Sequence, residues 1–482
     1  ARGRPGAYGV SSYEGPKDLK ASFAWRWSPP PGRFSTVFNG GVIIDDELGL
    51  YISSVNGLHK LSPDGDLLWS RPGGYGSIPC LWKGSLYGSD KGGHFFALDT
   101  KTGSPRWQTR VSVANSPDIN AVGVYNGVMV ACVDAKSDGG SSGVTAVNAT
   151  NGGFLWRFQT DAQLWNFMPM FAENDTLVFQ DQLGGVYHVD LMTGQRRWKA
   201  GYQGGWEEWW TDGMSWLGPN GMAYGVHVDG GLGKIGGRST GTVCAYALGD
   251  GKQMWCSVMP YPPNSQPTVA RLGPSATDLS LVIPVGLQAG VPILFWHLLT
   301  GAFGGAAALL AGLLVGLACC LCAGARPCRV CLAVAALCAG GCLLGAGVTA
   351  TKVPWSYDMP AEVRALNAET GALQWSWSLP TWTYSHVRGD LAGLLPRIFH
   401  RTQPFCIPNG HASPIVDAGG TVYFGNQNGL LYAIKDANGN GAIEEAEVSS
   451  FDMEASPTHT GVSFAPGLMA ILSCDSLFVF KY

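Results

Sequence analysis

Gly, three residues, then Trp: this spacing recurs along the chain in "GLHKLSPDGDLLW", "GGHFFALDTKTGSPRW", "GVTAVNATNGGFLW", "GGVYHVDLMTGQRRW", "GTVCAYALGDGKQMW" and "AEVRALNAETGALQW". It places Trp69, Trp107, Trp156, Trp198, Trp255 and Trp375 in one role. The residues before each Gly alternate or branch as strands do, so each copy reads as a strand, a tight turn with Gly at positive φ, and a second strand whose Trp is buried against the neighbouring unit. A second hairpin precedes most copies and opens on a Ser/Pro marker: "SIPC", "NSPD", "SQPT", "ASPI" and "ASPT", at residues 77, 115, 265, 412 and 455.

Two hairpins make a four-stranded antiparallel sheet, with strands lettered A to D from the Ser/Pro end to the Trp end. Repeats of about forty residues with four strands predict an all-β protein, a β-propeller, because radial closure hides the edges an open array would expose. The chain end "GLMAILSCDSLFVFKY" supplies strands without a fourth partner, and "ASFAWRWS" near the start is a strand without a blade. Joining them closes the ring at eight blades, with seven as the alternative, and predicts Trp25 or Trp27 on the outer strand beside "SLFVFK". The composition agrees: 46% hydrophobic and 14% charged residues exclude a disordered chain, and 68 Gly, 29 Pro and 18 Trp suit many short strands and turns. A net charge of -4 with no basic stripe argues against nucleic acid as a partner. Because Ala1 rather than Met comes first, targeting is not read from this end.

"ALDTKTGSPRW" (97 to 107) and "ALNAETGALQW" (365 to 375) resemble the pyrroloquinoline-quinone (PQQ) repeat, Ala-x-Asp-x-x-Thr-Gly-x-x-x-Trp, with Asn367 replacing Asp in the second. The likeness covers residues 21 to 286 and 359 to 482. It implies a propeller, in a family that includes quinoprotein alcohol dehydrogenases and the non-enzymatic outer-membrane assembly lipoprotein. The dehydrogenases of that family hold PQQ with a vicinal disulfide, a stacking Trp and a calcium ion. Here the vicinal pair is Cys319-Cys320, in an apolar stretch, and the chain has no Ser-His-Asp, Walker or His-Glu metal motif. PQQ is therefore not expected, and enzymatic activity is disfavoured. A binding or scaffold module is the first reading; a quinoprotein-like oxidoreductase and an accessory subunit of a membrane complex are the alternatives.

The chain divides into an N-terminal segment (1–20), a first propeller part (21–286), an insertion (287–358) and a second propeller part (359–482). Within the insertion, residues 293–323 and 330–350 contain no Asp, Glu, Lys or Arg, and each reaches the roughly 20 residues needed to cross a bilayer. With Gly301/Gly305, Gly312/Gly316 and Gly341/Gly345 at small-xxx-small spacing, they predict a transmembrane helical hairpin rather than a buried soluble helix pair. It is spliced between strands B and C of blade 6, so the membrane should lie on the face shared by B–C and D–A loops. Aromatics of that face, Trp165, Trp206, Trp209, Trp210 and Trp382, are packing residues, a headgroup belt or the lip of a ligand site. Arg326 and Arg329, between the two runs, predict that connection inside and the propeller on the extracytoplasmic or lumenal side.

In blade 7 the turn is replaced by "KDANGNGAIEEAE", whose residues follow an EF-hand calcium loop although a strand precedes it. Asp436, Asn438, Asn440, the carbonyl of Ala442, Glu444 through water and bidentate Glu447 would be the ligands, with Gly441 at the bend; a plain Asx-rich turn is the alternative. Cys319/Cys322 and Cys328/Cys331 have metal-ligand spacing, but they are close together in an apolar setting and read better as small apolar residues. Cys328 is a candidate for acylation. Cys244 and Cys256, equidistant from Asp250, should face each other across a hairpin, a disulfide candidate that implies an oxidising compartment; sequons at Asn148 and Asn174 point the same way.

Overall fold

A computed structural model describes residues 9–38, 40–115, 120–136, 140–201, 209–229, 239–273, 276–289, 302–314, 340, 356–406, 408 and 410–482. They form two compact units. The larger (1–288, 359–381 and 387–482) is an eight-bladed propeller of antiparallel sheets. Blade 1 is typical: strand A Ile43–Ile44, B Leu50–Ser54, C Gly57–Leu61 and D Leu67–Pro72. Strands B and C are buried throughout, whereas D alternates exposed and half-buried residues. This is the pattern of inner strands packed between neighbouring blades and an outer strand facing water. Blade 5 departs from four strands, since Trp209–Trp210 and Trp216–Leu217 both pair with Met222–Asp229.

The ring closes through a shared blade. In blade 8, strands A to C (Ser463–Ala465, Leu468–Leu472 and Leu477–Lys481) are completed by Phe23–Trp27, which pairs antiparallel with the last strand (Phe23 with Phe480, Trp25 with Val479, Trp27 with Leu477). The seven-bladed alternative is thus replaced by eight. Helix α1 (Leu19–Ser22), capped by Asp18 accepting from the amides of Lys20 and Ala21, delivers the chain to this strand.

Two rings of contacts join the blades. On the outside, six outer-strand Trp donate the indole N–H to the C–D turn of the following blade: Trp25 to the Pro63 carbonyl (3.1 Å), Trp69 to Thr100 (3.2 Å), Trp107 to Ala149 (2.9 Å), Trp156 to Leu191 (2.8 Å), Trp198 to Leu248 (2.8 Å) and Trp255 to Ala368 (3.1 Å). The turn glycine of that next blade lies flat on the ring. A Cβ at Gly194 would sit 2.6 Å from Trp156, so Gly is required there by close approach as well as by its φ of 73°. The Asp of the repeat shapes the turn: Asp99 accepts from the amides of Lys101 and Thr102 and from the Thr102 hydroxyl, and pairs with Arg106 at 2.8 Å.

On the inside, the Ser/Pro segments tie each blade to the next. Ser53 Oγ donates to the Ser77 carbonyl (2.8 Å), Val122 N to Ile78 O (3.0 Å), Phe167 N to Asn120 Oδ1 (3.1 Å) and Asn166 Nδ2 to Asp212 O (2.9 Å). The ring continues from Asp212 N to Asn264 Oδ1 (3.1 Å), Thr268 Oγ1 to Pro414 O (2.5 Å), Ser413 N to His459 O (2.7 Å) and Thr458 Oγ1 to Gly40 O (2.6 Å). All eight joints are bridged.

The smaller unit comprises 289–358 and 382–386. Its described parts include a helical stretch at 302–314, residues 356–358 of the strand Ser356–Met359, and the strand Trp382–Tyr384 that pairs with it. The expected transmembrane hairpin is not borne by these residues: most of 293–323 and 330–350 lies outside the described residues, and among the described residues no helix is long and apolar enough to cross a membrane.

Candidate functional site

The calcium-like loop joins strands Leu430–Ile434 and Val448–Asp452 of blade 7, whose register runs from Leu430 with Asp452 to Ile434 with Val448. It therefore occupies a C–D turn. Ile443 packs against the cluster that holds Trp375, so the loop covers blade 6 where a Gly turn does so elsewhere. The carboxylates at its two ends turn onto its own backbone. Asp436 Oδ1 accepts from the amides of Gly439 (2.7 Å) and Asn440 (3.1 Å), and Oδ2 from Gly441 (2.9 Å). Glu447 Oε1 accepts from Ala437 (2.7 Å) and Asn438 (3.3 Å), and Oε2 from Glu444 (3.0 Å). Asn438 and Asn440 each accept from the amide two residues on, at 2.9 and 2.8 Å, while Asn440 Nδ2 donates to Glu444 Oε1 at 3.2 Å. The positive φ that curls the backbone falls on Gly439 (72°) and Gly441 (78°). The amide of Glu444, with those of Ala437 and Asn438, holds the Glu447 carboxyl below its usual range, which keeps it ionised.

This donor set is all oxygen, as a hard cation requires, and a carboxylate oxygen that accepts amide bonds keeps acceptor capacity to spare. Among the described residues no three His, Cys, Asp or Glu side chains form a cluster that could hold a metal ion. Any site here relies on the amide oxygens of Asn438 and Asn440 and the Ala442 carbonyl as well.

Of the five aromatics expected on the face shared by B–C and D–A loops, four are among the described residues. Trp165, half-buried, abuts Gly140, where a Cβ would lie 2.5 Å from its indole nitrogen. Trp206 lies outside the described residues, and Trp209 and Trp210 are described only as a strand paired with Asp229 and Val228. Trp382 belongs to the smaller unit, where it donates to the His386 carbonyl at 2.8 Å and lies against Tyr384 with the rings tilted, centroids 4.7 Å apart.

Cys244 and Cys256 stand opposite each other in register and form a disulfide, with Cα atoms 4.1 Å apart. A second disulfide, Cys406–Cys474, has no counterpart in the sequence reading; it links residues 68 apart, and no repeat position marks them. Cys319, Cys320, Cys322, Cys328 and Cys331 lie outside the described residues.

Five of the described histidines are buried in the propeller, and three of them bear on stability: His59 beside Ser70 and Trp27, His188 against Trp198, and His411 bonded to Asn426. Burial lowers each from the ordinary 6.5 to about 4. A depressed folded value means that protons bind the unfolded chain first, so stability is intact above 6.5 and is lost as pH falls from 6.5 towards 4. Thermal unfolding followed against pH should show a flat midpoint above neutrality and a decline across that interval, before ordinary carboxylates protonate. A midpoint that holds steady down to about pH 4 would show that these imidazoles are not buried neutral.

The sequence profile of the outer membrane protein assembly factor BamB matches residues 54–205, from strand B of blade 1 through blade 4. The fold is that of the PQQ-repeat propellers. Solved structures of this fold align over nearly the whole chain. BamB from Moraxella catarrhalis shares 11% identity at a TM-score of 0.55, covering 95% of this chain and 99% of its own. Quinohemoprotein alcohol dehydrogenases from Pseudomonas putida HK5 (12% identity, TM-score 0.55, 98% of this chain and 78% of that one) and Comamonas testosteroni (13%, 0.54, 98% and 79%) align as well. No curated protein sequence matches the chain. Identity this low carries the PQQ-repeat propeller fold and no activity.

Proposed function

We propose that this PQQ-repeat propeller is a membrane-tethered scaffold that binds protein partners, stiffened by a calcium ion in the C–D loop of blade 7. The observation that carries the reading is the splice in blade 6. Strands Ser280–Gly286 and Ala361–Asn367 pair without a break (Gly286 with Ala361 through Ser280 with Asn367), so the chain leaves a finished sheet, runs through two uncharged apolar segments and returns to the same sheet. Two uncharged runs of this length favour a bilayer-spanning hairpin as the anchor. The disulfides Cys244–Cys256 and Cys406–Cys474 support an oxidising, extracytoplasmic or lumenal setting for the propeller, consistent with Arg326 and Arg329 staying on the cytoplasmic side.

The likeness over blades 1 to 4 to a protein named as an assembly factor supports protein binding over catalysis. A quinone cofactor is not part of the reading. The adjacent cysteines that the dehydrogenase resemblance implies are here Cys319-Cys320, in an uncharged apolar run. Gentle detergent extraction from native membranes should bring the protein out with a stoichiometric partner, and titration with PQQ and calcium should leave its absorbance unchanged. A lone protein that binds PQQ tightly would make it an oxidoreductase instead.

Calcium would be held by Asp436, Asn438, Asn440, the Ala442 carbonyl, Glu444 through water, and Glu447. A single loop with amide ligands at two positions should bind on the order of 10⁻⁴ to 10⁻³ M, as extracellular modules do. Because its flanking strands are paired, the loop cannot swing apart as two helices can, so the ion stiffens blade 7 rather than switching it. Calorimetry on Glu447→Gln should show binding lost with the propeller still folded. Sub-micromolar affinity in the unaltered protein, or a large calcium-driven rise in exposed apolar surface, would make it a sensor.

A further inference from the structure

Helix α2 (Asp390–Phe399) lies in the D–A connection between blades 6 and 7 and is built inside out. Its large apolar residues, Leu391 (57% exposed), Leu395 (64%), Ile398 (52%) and Phe399 (83%), follow i, i+4, i+7, i+8 spacing and form one solvent-facing stripe. Its buried stripe is Asp390, Gly393 and Arg397. A surface helix normally settles with its apolar stripe inward, since burying four such side chains dominates the choice.

Here the opposite orientation is locked. Arg397 pairs with Asp390 at 2.6 Å, both out of solvent, and its guanidinium lies over the Phe34 ring at 5.5 Å. The same Asp390 oxygen accepts from the amide of Cys406 at 2.9 Å, and Cys406 is bonded to Cys474 of blade 8. A Cβ at Gly393 would meet Phe34 and Arg397 at 2.8 Å, so the polar side sits tight against the propeller. The chain thus fixes the helix with its apolar face outward.

The place of the helix identifies what that face meets. Gly286 pairs with Ala361, and Glu362 with Ser378, so the chain leaves for the uncharged insertion and departs towards α2 from one and the same end of blade 6. Exposed His400 and Arg401 follow the apolar stripe, suited to lipid phosphates beside acyl chains. We infer that α2 is an interfacial helix that rests its Leu391, Leu395, Ile398 and Phe399 face in the headgroup boundary of the bilayer, fixing the tilt of the propeller over the membrane. This rests on the membrane-tethered reading above.

The test uses the full-length chain reconstituted in phosphatidylcholine–phosphatidylglycerol vesicles, with a solvatochromic amino acid at position 399, or at exposed position 68 on the outer strand of blade 1 as control. Flotation reports tethering, and emission reports α2. The expected result is a floating protein whose label at 399 is blue-shifted and largely quenched by lipids carrying a nitroxide near the headgroup, while the label at 68 is neither. Leu395→Ser with Ile398→Ser should leave the melting midpoint unchanged and return the label at 399 to the emission of water. A floating protein with an unquenched label at 399 would overturn the inference and leave the tether standing, and a blue-shifted but unquenched label would show that protein covers the face instead. A chain that does not float would overturn both.

Discussion

A chain lacking residues 9–27 should lose its cooperative unfolding transition. Those residues supply Phe23–Trp27, the outer strand of blade 8, and nothing else in the described ring replaces it. Its removal unpairs the Leu477–Lys481 strand and strips Phe23 from an aromatic cluster with Phe451, Phe478 and Phe480 at 4.9 to 6.3 Å. It also removes the Trp25 bond to Pro63, breaking the outer contact between blades 8 and 1. An unpaired apolar edge is an aggregation site as well as a stability loss. Thermal unfolding and limited proteolysis of the truncated chain should show a broad or absent transition and rapid cleavage, and a peptide spanning residues 16–30 added in trans should partly restore both. A truncated chain that melts like the full one would disprove closure by the shared blade.

Trp156→Ala should cost about 3–5 kcal/mol, the range for a large aromatic removed from a core. Trp156 is 6% exposed, lies against Gly194 of blade 4 and donates to Leu191 O, so truncation opens a cavity at the joint and orphans a buried carbonyl. Trp156→Phe keeps most of the ring contact and loses the hydrogen bond, for a loss of about 1 kcal/mol. Denaturant midpoints of the two variants should separate in that order. Equal losses would assign the whole effect to the hydrogen bond and contradict the docking account.

Much of the ring was legible because its signals are local. Gly65 to Trp69 and its repeats encode a turn and a docked ring within five residues, and the strand at 23–27 could be matched to a blade lacking its outer edge. The inner ring was not legible. Thr458 reaches Gly40 across 418 residues, and nothing in a Ser or Thr beside Pro announces so distant a partner. For the same reason Cys244 and Cys256, on two strands of one hairpin, invite pairing, whereas Cys406 and Cys474 do not. Helix α2 carries no signal that the sequence analysis uses; its apolar spacing alone would suggest the wrong orientation, because the Asp390–Arg397 pair that turns it outward is seven residues apart and silent in sequence. In blade 7 the turn chemistry was visible as Asp436 to Glu447, but its amides are already bonded to those two carboxylates, so residue types alone do not say whether an ion takes part.

The tether through blade 6 is tested most directly by alkaline carbonate extraction of native membranes, followed by immunodetection of the propeller. The account predicts that the protein remains in the membrane pellet and is released only by detergent. Recovery in the alkaline supernatant would contradict it, leaving a propeller held to its membrane, if at all, by surface contacts alone.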